Sequence, residues 1–290
     1  MEDLRECDYV VDKNYRIYIV RGYKNKNKIL ANLVFEPSSK GRYNILFKKN
    51  YQKVIDNNIM PCFLKRKNIK FIFKPNKEFS KIYNKIKESK WEEIADFIMR
   101  LGVKKDDIGI FGSALLGFDI EKDVDFVVYG IKNYNKIKNN IKKLKNKLVI
   151  GNINKNHISY QIKKHGSKFS KKNSFSLMLR NKWASMQINK KILSTIRFVY
   201  DKNEVPEDIQ IKKGKKIIIS GKTFGCWRTN FSPRIFKIIT SKREYRVLTY
   251  FWIYQSCVRD GQKVRIKGEL NKKNNTIYLS KFQHWIKILK

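Results

Sequence analysis

The sequence predicts an α+β chain. A mixed-sheet core at residues 77–204 stands between a β-rich module at 1–76 and a small β-barrel or sandwich at 205–290, OB-like in size. Three observations carry that reading. Runs of β-branched and aromatic residues, broken by turn residues, crowd both ends of the chain. Apolar residues at three-to-four spacing mark residues 77–101 as helical. Between these regions, residues 108–130 read strand, Gly-Ser turn, short helix, turn, strand: I-G-I-F-G-S-A-L-L-G-F-D-I-E-K-D-V-D-F-V-V-Y-G.

The N-terminal strands are D-Y-V-V-D, Y-R-I-Y-I-V-R-G-Y, K-I-L-A-N-L-V-F-E and Y-N-I-L-F. In the second, Tyr15, Ile17, Ile19 and Arg21 share one face, and Tyr18 and Val20 lie on the other. A small antiparallel sheet with one wet face is expected. Residues 50–58 read as weakly helical, and K-F-I-F-K-P reads as a short extended piece. In the helical stretch, Phe79, Ile82, Tyr83 and Ile86 form one face, and Trp91, Ile94, Ala95 and Ile98 resume it. Gly102 then sits where a C-cap belongs.

After the central motif, residues 133–147 form a basic helix with Tyr134, Ile137, Ile141 and Leu144 on its apolar side. Residues 164–176, K-H-G-S-K-F-S-K-K-N-S-F-S, read as an exposed basic loop, and 175–186 as helical. A strand is expected over 191–201. Beyond Pro206, five short strands in about 85 residues suggest the barrel or sandwich. Its loop G-C-W-R-T-N-F-S-P-R interleaves Trp227 and Phe231 with Arg228 and Arg234. That mixture suits single-stranded nucleic acid; a folded loop with buried aromatics is the plainer alternative.

Composition narrows the function classes. The chain has 290 residues, 42% of them hydrophobic, enough for real cores. No run of about 18 apolar residues is present, so no transmembrane helix is expected. The acidic start M-E-D-L-R-E-C-D lacks the apolar segment of a secretory signal, and a cytoplasmic protein is expected. The formal net charge is +40, which draws polyanions and gives nonspecific nucleic-acid binding at low salt. Abundant Lys, Asn and Ile also fit an A/T-rich coding sequence, so part of the lysine is ordinary solvated surface. Cys7, Cys62, Cys226 and Cys257 are scattered and show no zinc or disulfide spacing; buried free thiols are expected. His157, His165 and His284 do not cluster, which argues against imidazole metal sites and Ser-His chemistry.

The chemistry sits in the central motif. Asp123 and Asp125 flank Val124, so on a strand both carboxylates share a face and Val124 points to the core. Two adjacent carboxylates ionise together only with a cation between them. Hard oxygen ligands of this kind suit Mg²⁺, or Mn²⁺, held jointly with substrate phosphates. Gly112 lets a phosphate approach the backbone, and Ser113 opens the following helix. The G-S pair, the ten-residue step from Ser113 to Asp123, and D-V-D resemble the signature of the DNA polymerase beta-type nucleotidyltransferase superfamily. The wording F-G-S-A-L-L-G-F and D-V-D-F-V-V-Y-G resembles a group of archaeal predicted nucleotidyltransferases.

The resemblance implies metal-dependent transfer of a nucleotidyl group from an NTP to a nucleic-acid (RNA or DNA) or protein acceptor. It places the metal on Asp123 and Asp125, and the NTP phosphates on Gly112 and Ser113. Lys168, Lys171, Lys172 and Arg197 are candidate phosphate contacts. Two departures stand out. Lys122 occupies the position where a serine commonly precedes the first aspartate. The neighbouring strand, where the superfamily carries a third carboxylate, reads Ser194, Thr195, Ile196 and Arg197. Asp201, at that strand's end, is the candidate substitute. The alternative is a nucleic-acid-binding protein on a degenerate transferase scaffold, which the missing carboxylate and the +40 charge favour. No membrane partner is expected.

Overall fold

The structure is a computed structural model that describes residues 3–23, 27–40, 43–47, 49–54, 62–87, 92–117, 125–140, 149–150, 185–188, 192–207, 212, 214–251, 254–281 and 283–289. The fold is α+β and mostly strands, with three α-helices among the described residues. No helix in them is long and apolar enough to cross a membrane. The chain divides into two compact units, Met1–Val149 with Met186–Val205, and Ile150–Ser185 with Pro206–Lys290. The N-terminal strands share the first unit with Met186–Val205, and Ile150–Ser185 is grouped with the C-terminal strands.

The first unit opens with β1 (Tyr9–Asp12), β2 (Ile17–Val20), β3 (Lys28–Pro37), β4 (Tyr43–Leu46), β5 (Lys49–Lys53), β6 (Cys62–Lys65) and β7 (Ile69–Phe73). They form one sheet in the order β4-β5-β3-β2-β1-β7, with β6 also paired to β3. The expected wet face is absent at its centre: every residue of β1 and β2 is buried. Val10, Tyr18 and Val20 join a core with Leu4, Ile29 and Ala31, while Tyr9 turns the other way and sets its ring edge against Phe111 at 5.4 Å. Residues 49–53 are the strand β5, not a helix, and the buried Tyr51 supplies its apolar anchor.

Two helices follow, α1 (Pro75–Lys87) and α2 (Glu92–Arg100). Proline is favourable at a first helical position because its missing N–H has no intrahelical partner there. Phe79 of α1 is fully buried and meets Phe126 edge-on at 6.2 Å. Gly102 closes α2 with φ +84°, its N–H donating to the Met99 carbonyl at 2.9 Å, as a C-cap should.

The core sheet has the order β10-β11-β12-β9-β8, from β8 (Ile108–Phe111), β9 (Asp125–Tyr129), β10 (Val149–Ile150), β11 (Ser185–Ile188) and β12 (Ile192–Val199). It is mixed: β8 runs antiparallel to β9, and β12 runs parallel to it. α3 (Ile131–Asn140) leaves β9 through Gly130 and buries Tyr134 and Ile137. The expected helical reading of 175–186 ends in strand at Ser185 and Met186; the rest of that stretch, like 141–148, lies outside the described residues.

The second unit holds β13 (Lys215–Phe224), β14 (Phe231–Ser232), β15 (Arg234–Ile239), β16 (Glu244–Thr249), β17 (Lys263–Asn271), β18 (Thr276–Tyr278) and β19 (Trp285–Ile288). β13 pairs with β15 and β17, β15 with β16, β16 with β18, and β18 with β17. The five strands close into a ring the size of an OB barrel, and β19 extends β17. Strict alternation drives closure: Val264 and Ile266 point into a core with Phe236, Ile238 and Val247, while Lys263 and Arg265 point out.

Candidate active site

Strand register assembles the site at one end of β8 and β9. Phe111 pairs with Asp125 across the antiparallel ladder, so Gly112 and Ser113, the next residues, turn away beside the first residue of β9. Gly112 has φ +75°, a backbone state that glycine adopts without a Cβ penalty. A Cβ on it would stand 3.8 Å from Oδ2 of Asp125, so the missing side chain leaves the carboxylate facing bare backbone. Both Gly112 and Ser113 are half-buried, as is Asp125.

The expected helix after Ser113 is a single 3₁₀ turn, Ala114–Leu116, with all three residues buried. Gly117, at φ +71°, ends it. So short an element lacks the summed dipole of a full helix. Any approach of a phosphate therefore depends on the open backbone at Gly112 rather than on a helix terminus.

The second half of the site comes from β12. The Thr195 backbone N–H donates to Oδ1 of Asp125 at 3.1 Å. Arg197, two residues on, shares the sheet face of Asp125 and lays its guanidinium 4.2 Å from the centre of the Phe111 ring. Its Nε is buried with no hydrogen-bond partner among the described residues. Tyr9 of β1 closes this corner. Burial pushes its hydroxyl well above the ordinary tyrosine value; the Arg197 charge opposes that shift, and the Asp125 charge adds to it. Neither Thr195 nor Tyr9 carries a sequence signal for this position. Thr195 acts through its backbone, and Tyr9 sits in an ordinary apolar strand.

The expected residues do not all converge. Asp125, Gly112, Ser113 and Arg197 come together. Asp123, Lys168, Lys171 and Lys172 lie outside the described residues, as does Lys122. Asp201 is placed elsewhere. Because β12 runs parallel to β9, residues after Val199 emerge beside Gly130 and Ile131, at the opposite end from Asp125. Asp201 lies six residues beyond Thr195 along extended chain, roughly 20 Å. There Asp201 faces Gly130, where a Cβ would stand 2.5 Å from its Oδ2. Its neighbour Glu204 accepts the N–H of Ile131 at 2.8 Å and that of Asp201 at 3.1 Å. Two carboxylates at the start of α3 complement the helix dipole. Burial raises the Asp201 pKa, and Glu204 raises it further.

Two further expectations meet the structure in the second unit and at the cysteines. Phe231 is fully buried and Arg234 is 2% exposed, with Nη1 donating to Ser232 Oγ at 3.0 Å. The reading of a folded loop with buried aromatics fits Phe231 and Arg234, while Trp227 is half-buried and Arg228 is exposed. Cys7, Cys226 and Cys257 are buried free thiols, but Cys62 is exposed.

Asp125 and Gly112 fit a hard cation in kind: a carboxylate held in one orientation, opposite a position with no side chain. Among the described residues, no group of three or more His, Cys, Asp or Glu could hold a metal ion. No protein-family model, curated protein or solved structure matches the chain.

Proposed function

We propose that the first unit is a metal-dependent nucleotidyltransferase, moving a nucleotidyl group from an NTP to a nucleic-acid or protein acceptor. The observation that carries the reading is the Asp125 carboxylate, pinned by Thr195 and turned toward Gly112 in the Gly-Ser bend. In it, Asp125 with Asp123 holds Mg²⁺ or Mn²⁺, and Gly112 and Ser113 admit the triphosphate. Bound there, the metal supplies charge neutralisation on the leaving pyrophosphate and a more nucleophilic acceptor oxygen. Arg197 supports a phosphate oxygen from the same face. The acceptor oxygen bonds to the α-phosphorus as the bond from that phosphorus to its bridging oxygen breaks. Pyrophosphate leaves with the bond's electron pair, and the acceptor's proton passes to water. Asp201, at the far end of the strands, is left out of this chemistry.

A second reading draws on β12, whose eight residues hold no carboxylate. On it, the scaffold is catalytically degenerate and the protein binds nucleic acid. One experiment separates the two. The protein is incubated with Mg²⁺, each labelled NTP and RNA, DNA or protein acceptors, beside an Asp123→Asn/Asp125→Asn variant. Transfer above that variant supports the enzyme. Equal background, with nucleic-acid binding intact in both proteins, supports the scaffold.

A further inference from the structure

The outward face of the barrel presents a pattern that the proposed transferase site does not use. Cross-strand register sorts it into rungs. Phe224 on β13 lies beside Lys237 on β15, which lies beside Arg246 on β16. Lys222 lies between Ile239 on β15 and Lys263 on β17. Ser220 lies beside Arg265, which lies beside Lys287 on β19. Ile218 lies beside Lys267, which lies beside Trp285.

Two features set this face apart from ordinary solvated surface. Like charges directly opposite on a sheet are destabilising. Here three such pairs share one face: Lys237 with Arg246, Lys222 with Lys263, and Arg265 with Lys287. Among the described residues, one of these cations, Lys237, is bonded to an acid, and Arg246 Nη2 donates to the Glu207 carbonyl at 3.0 Å. Glu244 is bonded to Lys237 at 2.8 Å, and Glu269 is buried against Lys281. Large apolar side chains stand exposed among the cations: Ile218 at 58%, Phe224 at 41% and Ile239 at 39%. They account for three of the four exposed large hydrophobic residues among the described residues.

We propose that this face, centred on β13 and β17, binds single-stranded nucleic acid, with phosphates over the paired cations and bases against Phe224 and Trp285. A chain of phosphates neutralises the like-charge rungs. Unpaired bases offer flat rings to the exposed Phe224 and the half-buried Trp285, which the base pairs of a duplex do not. The apolar groups are interleaved with lysines rather than gathered into one wedge, which suits a threaded polymer better than a lipid surface. The site is separate from the transferase reading and needs neither metal nor NTP.

The test measures full-length protein binding a labelled oligothymidylate across a salt series. Lys222→Gln/Lys263→Gln is expected to flatten the slope of log affinity against log salt by about 1.4, for two lost phosphate contacts. Phe224→Ala is expected to weaken binding about ten-fold. Phe224→Leu, which keeps the apolar bulk, is expected to weaken it nearly as much with an unchanged melting point. Lys65→Gln/Lys67→Gln, an equal charge loss in the first unit, is expected to change neither. Equal losses from the face and control variants would overturn the proposal. So would equal affinity for a duplex of the same length, or tighter binding to anionic phosphatidylglycerol vesicles. None of these outcomes depends on transfer activity, so failure here leaves the transferase reading standing.

Discussion

The backbone N–H of Thr195 donates to Oδ1 of Asp125 across 70 residues of sequence, at 3.1 Å. The bond ties the first carboxylate of β9 to the neighbouring parallel strand and fixes which way it points. Asparagine in place of Asp125 keeps a side-chain oxygen to accept that N–H but removes the charge. Asp125→Asn is therefore expected to change stability by less than about 1 kcal/mol. On the proposed function, transfer falls about 10²-fold or more, the scale of losing one preorganised electrostatic group. Thermal unfolding beside a transfer assay checks both halves.

Two glycines in the same motif are required for different reasons. A Cβ on Gly109 would stand 2.6 Å from Cβ of Pro75 and 2.7 Å from its carbonyl carbon, so the start of α1 must shift. Gly109→Ala is expected to cost about 2 kcal/mol by overpacking. A Cβ on Gly112 meets only ordinary contact, and the cost is the strained backbone at φ +75°, about 1 kcal/mol. Denaturant unfolding should rank Gly109→Ala as the more damaging. On the proposed function, Gly112→Ala loses more activity than its stability loss explains.

Glu6 and Arg21 form a buried ion pair at 2.9 Å, with Glu6 fully buried. Glu6 also accepts the Gly22 N–H at 2.6 Å, and Arg21 Nε donates to Asn32 at 3.0 Å. Glu6→Ala leaves a buried guanidinium without its counter-charge and is expected to cost about 3 kcal/mol or more. Urea unfolding of the variant should show the loss. A midpoint unchanged from wild type would contradict the role given to this pair.

His284 should make stability depend on pH. It is buried, and its Nδ1 accepts the N–H groups of Ser280 at 3.1 Å and Lys281 at 3.2 Å. Burial lowers its pKa below the ordinary 6.5; Glu269 opposes that shift, while Lys281 adds to it. Between the two values the unfolded chain binds a proton that the folded chain refuses. Stability is therefore full above about 6.5 and falls as pH drops toward the lowered folded value. His284→Asn, which retains an acceptor, should flatten this dependence. Melting points from pH 7 to pH 5, measured on both proteins, give the comparison.

Much of the fold was legible where a single local period governs. Lys263–Asn271 alternates charge with aliphatic residues, and the barrel follows. Gly102 caps α2 as its position suggests. Other features depend on partners far along the chain. Tyr51 turns a polar stretch into β5 by pairing with β3 and β4, a tertiary effect that local propensity does not contain. Asp201 follows an apolar strand, which makes it a candidate carboxylate on sequence alone. Only the parallel register of β12 and β9 decides which end it reaches. The aromatic-basic loop at 225–234 resembles a binding surface in composition, yet its Phe231 is buried and its Trp227 half-buried, while Phe224, one residue before it, is exposed.

The proposed chemistry is tested most directly by labelling two phosphates of one NTP differently and following each in the presence of Mg²⁺ and an acceptor. Nucleotidyl transfer predicts α-phosphate label on the acceptor and γ-phosphate label in released pyrophosphate. Both signals should be lost together in Asp125→Asn. Label from the γ-phosphate on the acceptor, or equal signals from wild type and variant, would contradict the account.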